Sequence, residues 1–150
     1  MTNIAILGFG TVGGGVYEVS KNAKKKPLSE VNIKYILDLR DFPDSPFADK
    51  IVHDVNVILN DPEVKICAEL MGGSHPAFEF SSAAMKAGKS VVTSNKEVVS
   101  TFGVELCAIA KEHGVRYLFE ASVGGGIPVI RPMINDLSST KIERISGIIN

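Results

Sequence analysis

Apolar residues along this chain fall into short unbroken runs separated by longer stretches in which they recur at helical spacing. Asn3–Leu7 is the first run and reads as a strand; Thr11–Asn22 follows as an amphipathic helix. Lys24–Glu30 is polar, carries Pro27 and reads as a loop. Ile33–Leu39 is a second strand, with Asp38 and Arg40 at its end, and Asp41–Asp49, holding Pro43 and Pro46, is a loop. Asp54–Asn60 fits a short helix ended by Asp61-Pro62. Lys65–Leu70 is a strand closed by Gly72-Gly73. Pro76–Ala87 is a helix with proline in its first turn and Gly88 past its end, and Ser90–Thr93 is the next strand. Ser94-Asn95-Lys96-Glu97 has the Ser-x-x-Glu form of a capping box. It opens two helical pieces, Lys96–Ser100 and Val104–His113. Val115–Phe119 is a strand, Gly124-Gly125-Gly126 breaks regular structure, Pro128–Leu137 is helical with Pro132 near its first turn, and Ile142–Ile149 is a last β-branched run.

Strands that alternate with helix-sized segments imply right-handed βαβ crossovers. The fold class is therefore α/β, a doubly wound, mostly parallel sheet of Rossmann type with helices on both faces. In that architecture ligands bind at the carboxyl ends of the strands. The loops placed there are Gly8–Gly13, Asp38–Asp41, Met71–His75, Ser94–Glu97 and Glu120–Pro128, and they hold nearly all the unusual residues.

Composition narrows the partners. A length of 150 residues fits one domain. The net charge of −1 gives no electrostatic reason to expect nucleic acid or an anionic membrane, and Lys24-Lys25-Lys26 reads as a solvated loop. Cys67 and Cys107 sit in apolar stretches and read as buried free thiols in a reducing compartment. No signal peptide or long apolar span is visible, so the expected location is the cytoplasm.

Three strand-end segments carry chemistry. In Gly8-Phe9-Gly10-Thr11-Val12-Gly13, Gly8 permits a tight turn, Gly10 leaves room for a pyrophosphate and Gly13 lets the helix lie close to the sheet. The helix N-terminus then presents amide N–H groups to the phosphates. At the end of the second strand an acid would bind ribose hydroxyls and favour NAD, whereas an arginine would accommodate the 2′-phosphate of NADP. Asp38 and Arg40 are both present; Arg40 is taken as the reader, which favours NADP over NAD. Lys96 falls in the first turn of a helix, where the dipole disfavours a cation by about 0.3–1 kcal/mol. It reads either as a group that orients substrate or as a solvated lysine paired with Glu97 or Asp136.

The Glu120–Pro128 segment puts one carboxylate beside a glycine run whose carbonyls suit a hard cation, a close approach to a ligand or a hinge. His75 reads as a helix-start cap rather than an acid–base group, and His53 and His113 as surface or helix-end residues. No metal-spaced Cys/His cluster is present.

Taken together, Gly8–Gly13, Glu69-Leu70-Met71-Gly72-Gly73, Thr93-Ser94-Asn95-Lys96, Glu120-Ala121-Ser122-Val123-Gly124-Gly125-Gly126-Ile127-Pro128 and the closing Ile145–Asn150 resemble homoserine dehydrogenase. That family interconverts L-aspartate 4-semialdehyde and L-homoserine with NADH or NADPH, on the route to threonine, methionine and isoleucine. The resemblance implies that Gly8, Phe9, Gly10, Thr11, Val12 and Gly13 bind the pyrophosphate, and that Arg40 meets the adenosine ribose or its phosphate. It places Gly72, Gly73, Ser94 and Asn95 on the nicotinamide side and Lys96, as the catalytic lysine, at the cofactor–substrate junction. It implies a sodium site at Glu120 with the carbonyls of Val123, Gly125 and Ile127.

Asp38 departs from the small residue often found at its position. Residues 1–137 are expected to form the dinucleotide domain, and 138–150 to start the passage into a substrate-binding, dimerising domain beyond Asn150. On that reading the parent is a monofunctional homodimer or higher oligomer, and this chain alone binds dinucleotide without oxidising homoserine. The alternatives are an NAD(P)-binding regulatory module, or another two-domain oxidoreductase such as an aspartate dehydrogenase; the triple glycine after Glu120 argues against the latter.

Overall fold

Strand β1 (Thr2–Leu7) is buried from Ile4 onward, as a strand flanked on both edges and covered on both faces must be. The computed structural model describes residues 1–147. β1 leads into α1 (Thr11–Asn22), then β2 (Val31–Leu37), β3 (Ile51–Val52), α2 (Val55–Leu59), β4 (Val64–Glu69), α3 (Ala77–Lys86), β5 (Ser90–Thr93), α4 (Lys96–Glu112), β6 (Tyr117–Leu118) and α5 (Ile130–Asn135). The strands lie in the order β3-β2-β1-β4-β5-β6, and every neighbouring pair is parallel. The chain builds outward from β1 to β3, crosses through α2, and builds outward again from β4. The direction reverses between β1 and β4, and this opens a crevice at the carboxyl ends of those two strands.

Alternation along β1 divides the core. Ala5 and Leu7 join a cluster with Ile58 of α2, Ala84 and Met85 of α3, and Leu106 and Ala110 of α4. Ile4 and Ile6 point the other way, toward Tyr17 of α1 with Ile33 and Ile36. The expected parallel sheet with helices on both faces is thus the fold observed.

Several elements differ from the sequence expectation. The two helical pieces after Ser94 are one helix, α4, that runs through Gly103. Buried Val98, Leu106 and Ala110 anchor it on both sides of the glycine, and this packing outweighs a penalty of about 1 kcal/mol. The pairing of β3 with Ile36 and Leu37 adds a two-residue edge strand that is too short for a periodic signal. β6 keeps only Tyr117 and Leu118 of the expected Val115–Phe119. No strand forms over 142–147, where no neighbouring strand supplies hydrogen bonds; the rest of the Ile142–Ile149 run lies outside the described residues. Cys67 is buried on β4, and desolvation pushes its thiol up to about 12. Cys107, expected inside, is on the exposed side of α4. No helix among the described residues is long and apolar enough to cross a membrane.

Candidate functional site

β1 ends at Leu7, and the chain turns through Gly8 at φ +92°, a left-handed conformation that favours glycine. A Cβ on Gly8 would stand 2.7 Å from Cγ of Met71, and one on Gly13 would stand 2.3 Å from the carbonyl oxygen of Gly8. These two glycines are therefore required by the fold itself. Gly10 is different: a Cβ there would meet nothing within 4 Å. Its space is open, and it is the N-cap of α1. No side chain caps that helix and no acid lies in its first turn, so the amides at its positive end face outward uncompensated.

The turn is held from the side by β2. Asp38 accepts the Phe9 amide N–H through Oδ2 at 2.9 Å. Its other oxygen, Oδ1, accepts the Arg40 amide at 3.0 Å and Arg40 Nε at 2.9 Å. Arg40 Nη2 donates to Asp38 Oδ2 at 3.0 Å and to the Phe9 carbonyl at 2.8 Å. The Arg40 side chain, with these backbone donors, holds the Asp38 carboxyl well below the usual carboxylate range. Asp38 and Arg40, weighed in the sequence as competing readers, form one unit. Asp38 organises the glycine turn, and Arg40 lies over it, 5.2 Å from the Phe42 ring centre. A cavity of about 490 Å³ opens in front of them, lined by Gly8, Phe9, Gly10, Asp38, Arg40, His53, Met71 and Gly72 among others. An open Gly10, an uncapped helix start and this cavity fit an elongated, anionic ligand.

A second cluster lies at the ends of β4 and β5. Glu69 is fully buried. Its Oε2 accepts the Thr93 hydroxyl at 2.5 Å, and its Oε1 accepts the Met71 amide at 2.8 Å and Asn95 Nδ2 at 3.4 Å. Asn95 Nδ2 also donates to the Gly73 carbonyl at 2.6 Å. Asn95 Oδ1 accepts the amides of Glu97 and Val98 at 3.1 and 3.2 Å, so Asn95 caps α4. This corrects the expected Ser94–Glu97 capping box: the cap is one residue later because Asn95 is pinned from below by Glu69 and Gly73. Desolvation raises the Glu69 pKa, and the Thr93, Met71 and Asn95 bonds offset it only in part. In the sequence Glu69 stands within the Glu69–Gly73 motif with no role of its own. The available signal was a carboxylate closing an apolar, central strand.

The remaining candidates are dispersed. Lys96 is the first residue of α4, exposed, and makes no ion pair among the described residues, so the pairing with Glu97 or Asp136 does not occur. Asn95 sets its position at the helix start. His75 does not cap α3; it pairs with Glu79 at 2.6 Å one turn on. Glu120 turns both carboxylate oxygens toward the first amides of α5, accepting from Val129 at 2.6 Å, Ile130 at 2.9 Å and Arg131 at 2.7 Å. Among the described residues, the carbonyls of Val123, Gly125 and Ile127 accept no backbone hydrogen bond.

Residues 8–120 match the family model described as the homoserine dehydrogenase NAD-binding domain. The chain belongs to the homoserine dehydrogenase family. Homoserine dehydrogenase of Lactococcus lactis is 38% identical over 157 residues, which cover 99% of this chain and 37% of that protein. A crystal structure of homoserine dehydrogenase from Thiobacillus denitrificans superposes with a TM-score of 0.80 at 33% identity, covering 91% of this chain and 33% of that one. A hyperthermophilic archaeal homoserine dehydrogenase mutant in complex with NADPH gives a TM-score of 0.76 at 27% identity, covering 91% of this chain and 49% of that one. The chain thus spans about a third of the length of the curated homoserine dehydrogenases it matches. The glycine turn, the Asp38–Arg40 unit and the Glu69 cluster all lie within the matched NAD-binding domain.

Proposed function

We propose that this chain is the cofactor-binding part of a cytoplasmic homoserine dehydrogenase that reduces L-aspartate 4-semialdehyde to L-homoserine with NADPH, or with NADH. The observation that carries this reading is the set of strand-end features along the carboxyl ends of the sheet, from Asp38–Arg40 after β2 through Gly10 after β1 and Gly72 after β4 to Asn95–Lys96 after β5. Residues 1–137 serve as the dinucleotide domain. Residues 138–150 lead toward the substrate-binding and dimerising part that accounts for the greater length of the relatives. Exposed Ile127, Ile134, Leu137, Ile142 and Ile145 support a further partner surface at this end. The free thiols of Cys67 and Cys107 suit a reducing compartment.

Within this reading the amides of Thr11, Val12 and Gly13 and the open face of Gly10 receive the pyrophosphate, with Phe9 beside them. Gly72, Gly73, Ser94 and Asn95 line the nicotinamide half. The bound dinucleotide supplies the hydride. Lys96, projecting from the start of α4, orients the substrate oxygen and holds a proton near it. A sodium ion would draw on the carbonyls of Val123, Gly125 and Ile127, with Glu120 shaping the loop from behind through its α5 amides.

Calorimetric titration with NAD and NADP tests the reading, with saturable binding as the expected result and none as the result against it. Arg40→Ala should weaken NADP by about tenfold or more, the worth of a charged hydrogen bond, and leave NAD nearly unchanged because Asp38 is freed for the ribose hydroxyls. An equal loss for both cofactors would remove Arg40 from the 2′-phosphate. Lys96→Ala should keep both affinities within about twofold and raise stability by about 0.3–1 kcal/mol, since a cation leaves a helix N-terminus. A thermal melt showing marked destabilisation would make Lys96 a structural residue.

A further inference from the structure

His53 follows β3 and borders the cavity beside Gly10, Asp38 and Arg40. Its two ring nitrogens have partners of one kind. Nδ1 lies 2.7 Å from the Asp38 carbonyl oxygen, and Nε2 lies 3.0 Å from Asp41 Oδ1. A carbonyl and a carboxylate only accept, so both nitrogens must donate. A neutral imidazole has one N–H and would turn a lone pair toward one of these oxygens. Only the protonated ring satisfies the geometry, and the two bonds raise the His53 pKa, the Asp38 carbonyl first and Asp41 second.

The groups around the ring make its charge consequential. Asp38 meets it from the end of β2 through its carbonyl, with Arg40 bound to the carboxylate of the same residue and lining the same cavity, and Asp41 meets it from the loop that follows. Neighbouring Asp54 is turned away, accepting the Asn56 amide as the cap of α2, and Lys50 donates to the Ile33 carbonyl. The opposite wall, formed by Met71, Gly72, Pro76 and Phe80, brings no titratable group. Asp38 and Asp41 outweigh Arg40 by one charge, and the protonated ring cancels that excess. Arg40 grips Asp38 at its carboxylate and His53 grips it at its carbonyl, so the two cations flank one residue where a Rossmann fold receives the adenosine ribose.

We infer that His53 is a specificity-determining residue, a second cation beside Arg40 for a 2′-phosphate, so that preference for NADPH over NADH declines as this ring loses its proton. The inference rests on the dinucleotide reading above. Fluorescence titration of this chain with NADPH and NADH tests it above about pH 7, where a phosphate monoester is already a dianion. NADPH affinity should fall about tenfold between neutral pH and pH 9 while NADH changes less than about twofold. His53→Gln should show a weak, pH-independent NADPH-to-NADH ratio, and His53→Lys should keep NADPH tight at pH 9. Parallel pH profiles for the two cofactors, or a His53→Gln chain with the wild-type profile, would overturn the role of His53 while NADH binding stands. Failure to bind either dinucleotide at any pH would instead overturn the dinucleotide reading, and this inference with it.

Discussion

Gly13→Ala is expected to cost about 3 kcal/mol, at the upper end of overpacking penalties. At about 2–4 °C per kcal/mol for a domain of this size, the melting temperature should drop by roughly 6–12 °C. The cause is the 2.3 Å approach of a Cβ to the Gly8 carbonyl, a backbone atom that cannot swing aside as a side-chain end can. Relief requires α1 to lift from β1, which moves the amides at its start and loosens the packing of Tyr17 against Ile4 and Ile6. Dinucleotide binding should be lost together with stability. Gly10→Ala provides the contrast. Its Cβ meets nothing within 4 Å, so the folded chain should melt within about 1 kcal/mol of wild type, the ordinary range for a site without contacts. Its binding should nevertheless fall sharply, because the methyl group would occupy the space that the proposed function gives to the pyrophosphate. Calorimetric melts and NADH titrations of the two variants check both halves; a Gly10→Ala chain with full affinity would show that the ligand does not rest on this turn.

Glu69→Ala should destabilise the chain by about 2–4 kcal/mol, combining a cavity with buried donors left unpaired. The Met71 amide and the Thr93 hydroxyl lose their acceptor, and Asn95 loses one of the two acceptors of its Nδ2. Since Asn95 caps α4, the disturbance reaches the helix start where Lys96 stands. NADH affinity should therefore fall more than affinity for ADP-ribose, which lacks the nicotinamide; equal losses would confine Glu69 to a structural role.

The conservative Glu69→Gln variant isolates the charge. Burial raises the folded-state pKa of Glu69 above its ordinary value of 4.5, so its contribution to stability is fully present below that value. That contribution is lost as pH rises through the folded-state pKa, because the unfolded chain releases the proton first. Urea melts over this window should show wild type losing stability relative to Glu69→Gln as pH increases. Parallel curves would mean that the three hydrogen bonds, rather than burial, set the protonation of Glu69.

Much of this molecule was legible in its residues. The order of strands and helices, the parallel sheet, the glycine turn and the strand-end position of Arg40, Asn95 and Lys96 follow from local pattern. That pattern records which residues can turn, which can be buried and which prefer a helix start. The same local reading divided α4 at Gly103, because propensity weighs a glycine without knowing that Val98 and Leu106 are packed on either side of it. It also placed the α4 cap on Ser94, because a capping box is a spacing, whereas Asn95 is selected by contacts with Glu69 and Gly73 that lie more than twenty residues away.

The partnerships at the site have the same origin. Asp38 and Arg40 presented themselves as rivals in sequence and became a single hydrogen-bonded unit once β2 lay beside β1 and brought the Phe9 amide within 2.9 Å. His53 had no signal of its own until β3 paired with β2 and set its ring between the Asp38 carbonyl and Asp41. The amino-acid sequence alone therefore determined the fold class, the glycine turn and the family. Only the tertiary structure decided which polar groups share hydrogen bonds, because parallel strands join residues far apart in the chain and the donors and acceptors of a site are matched across them.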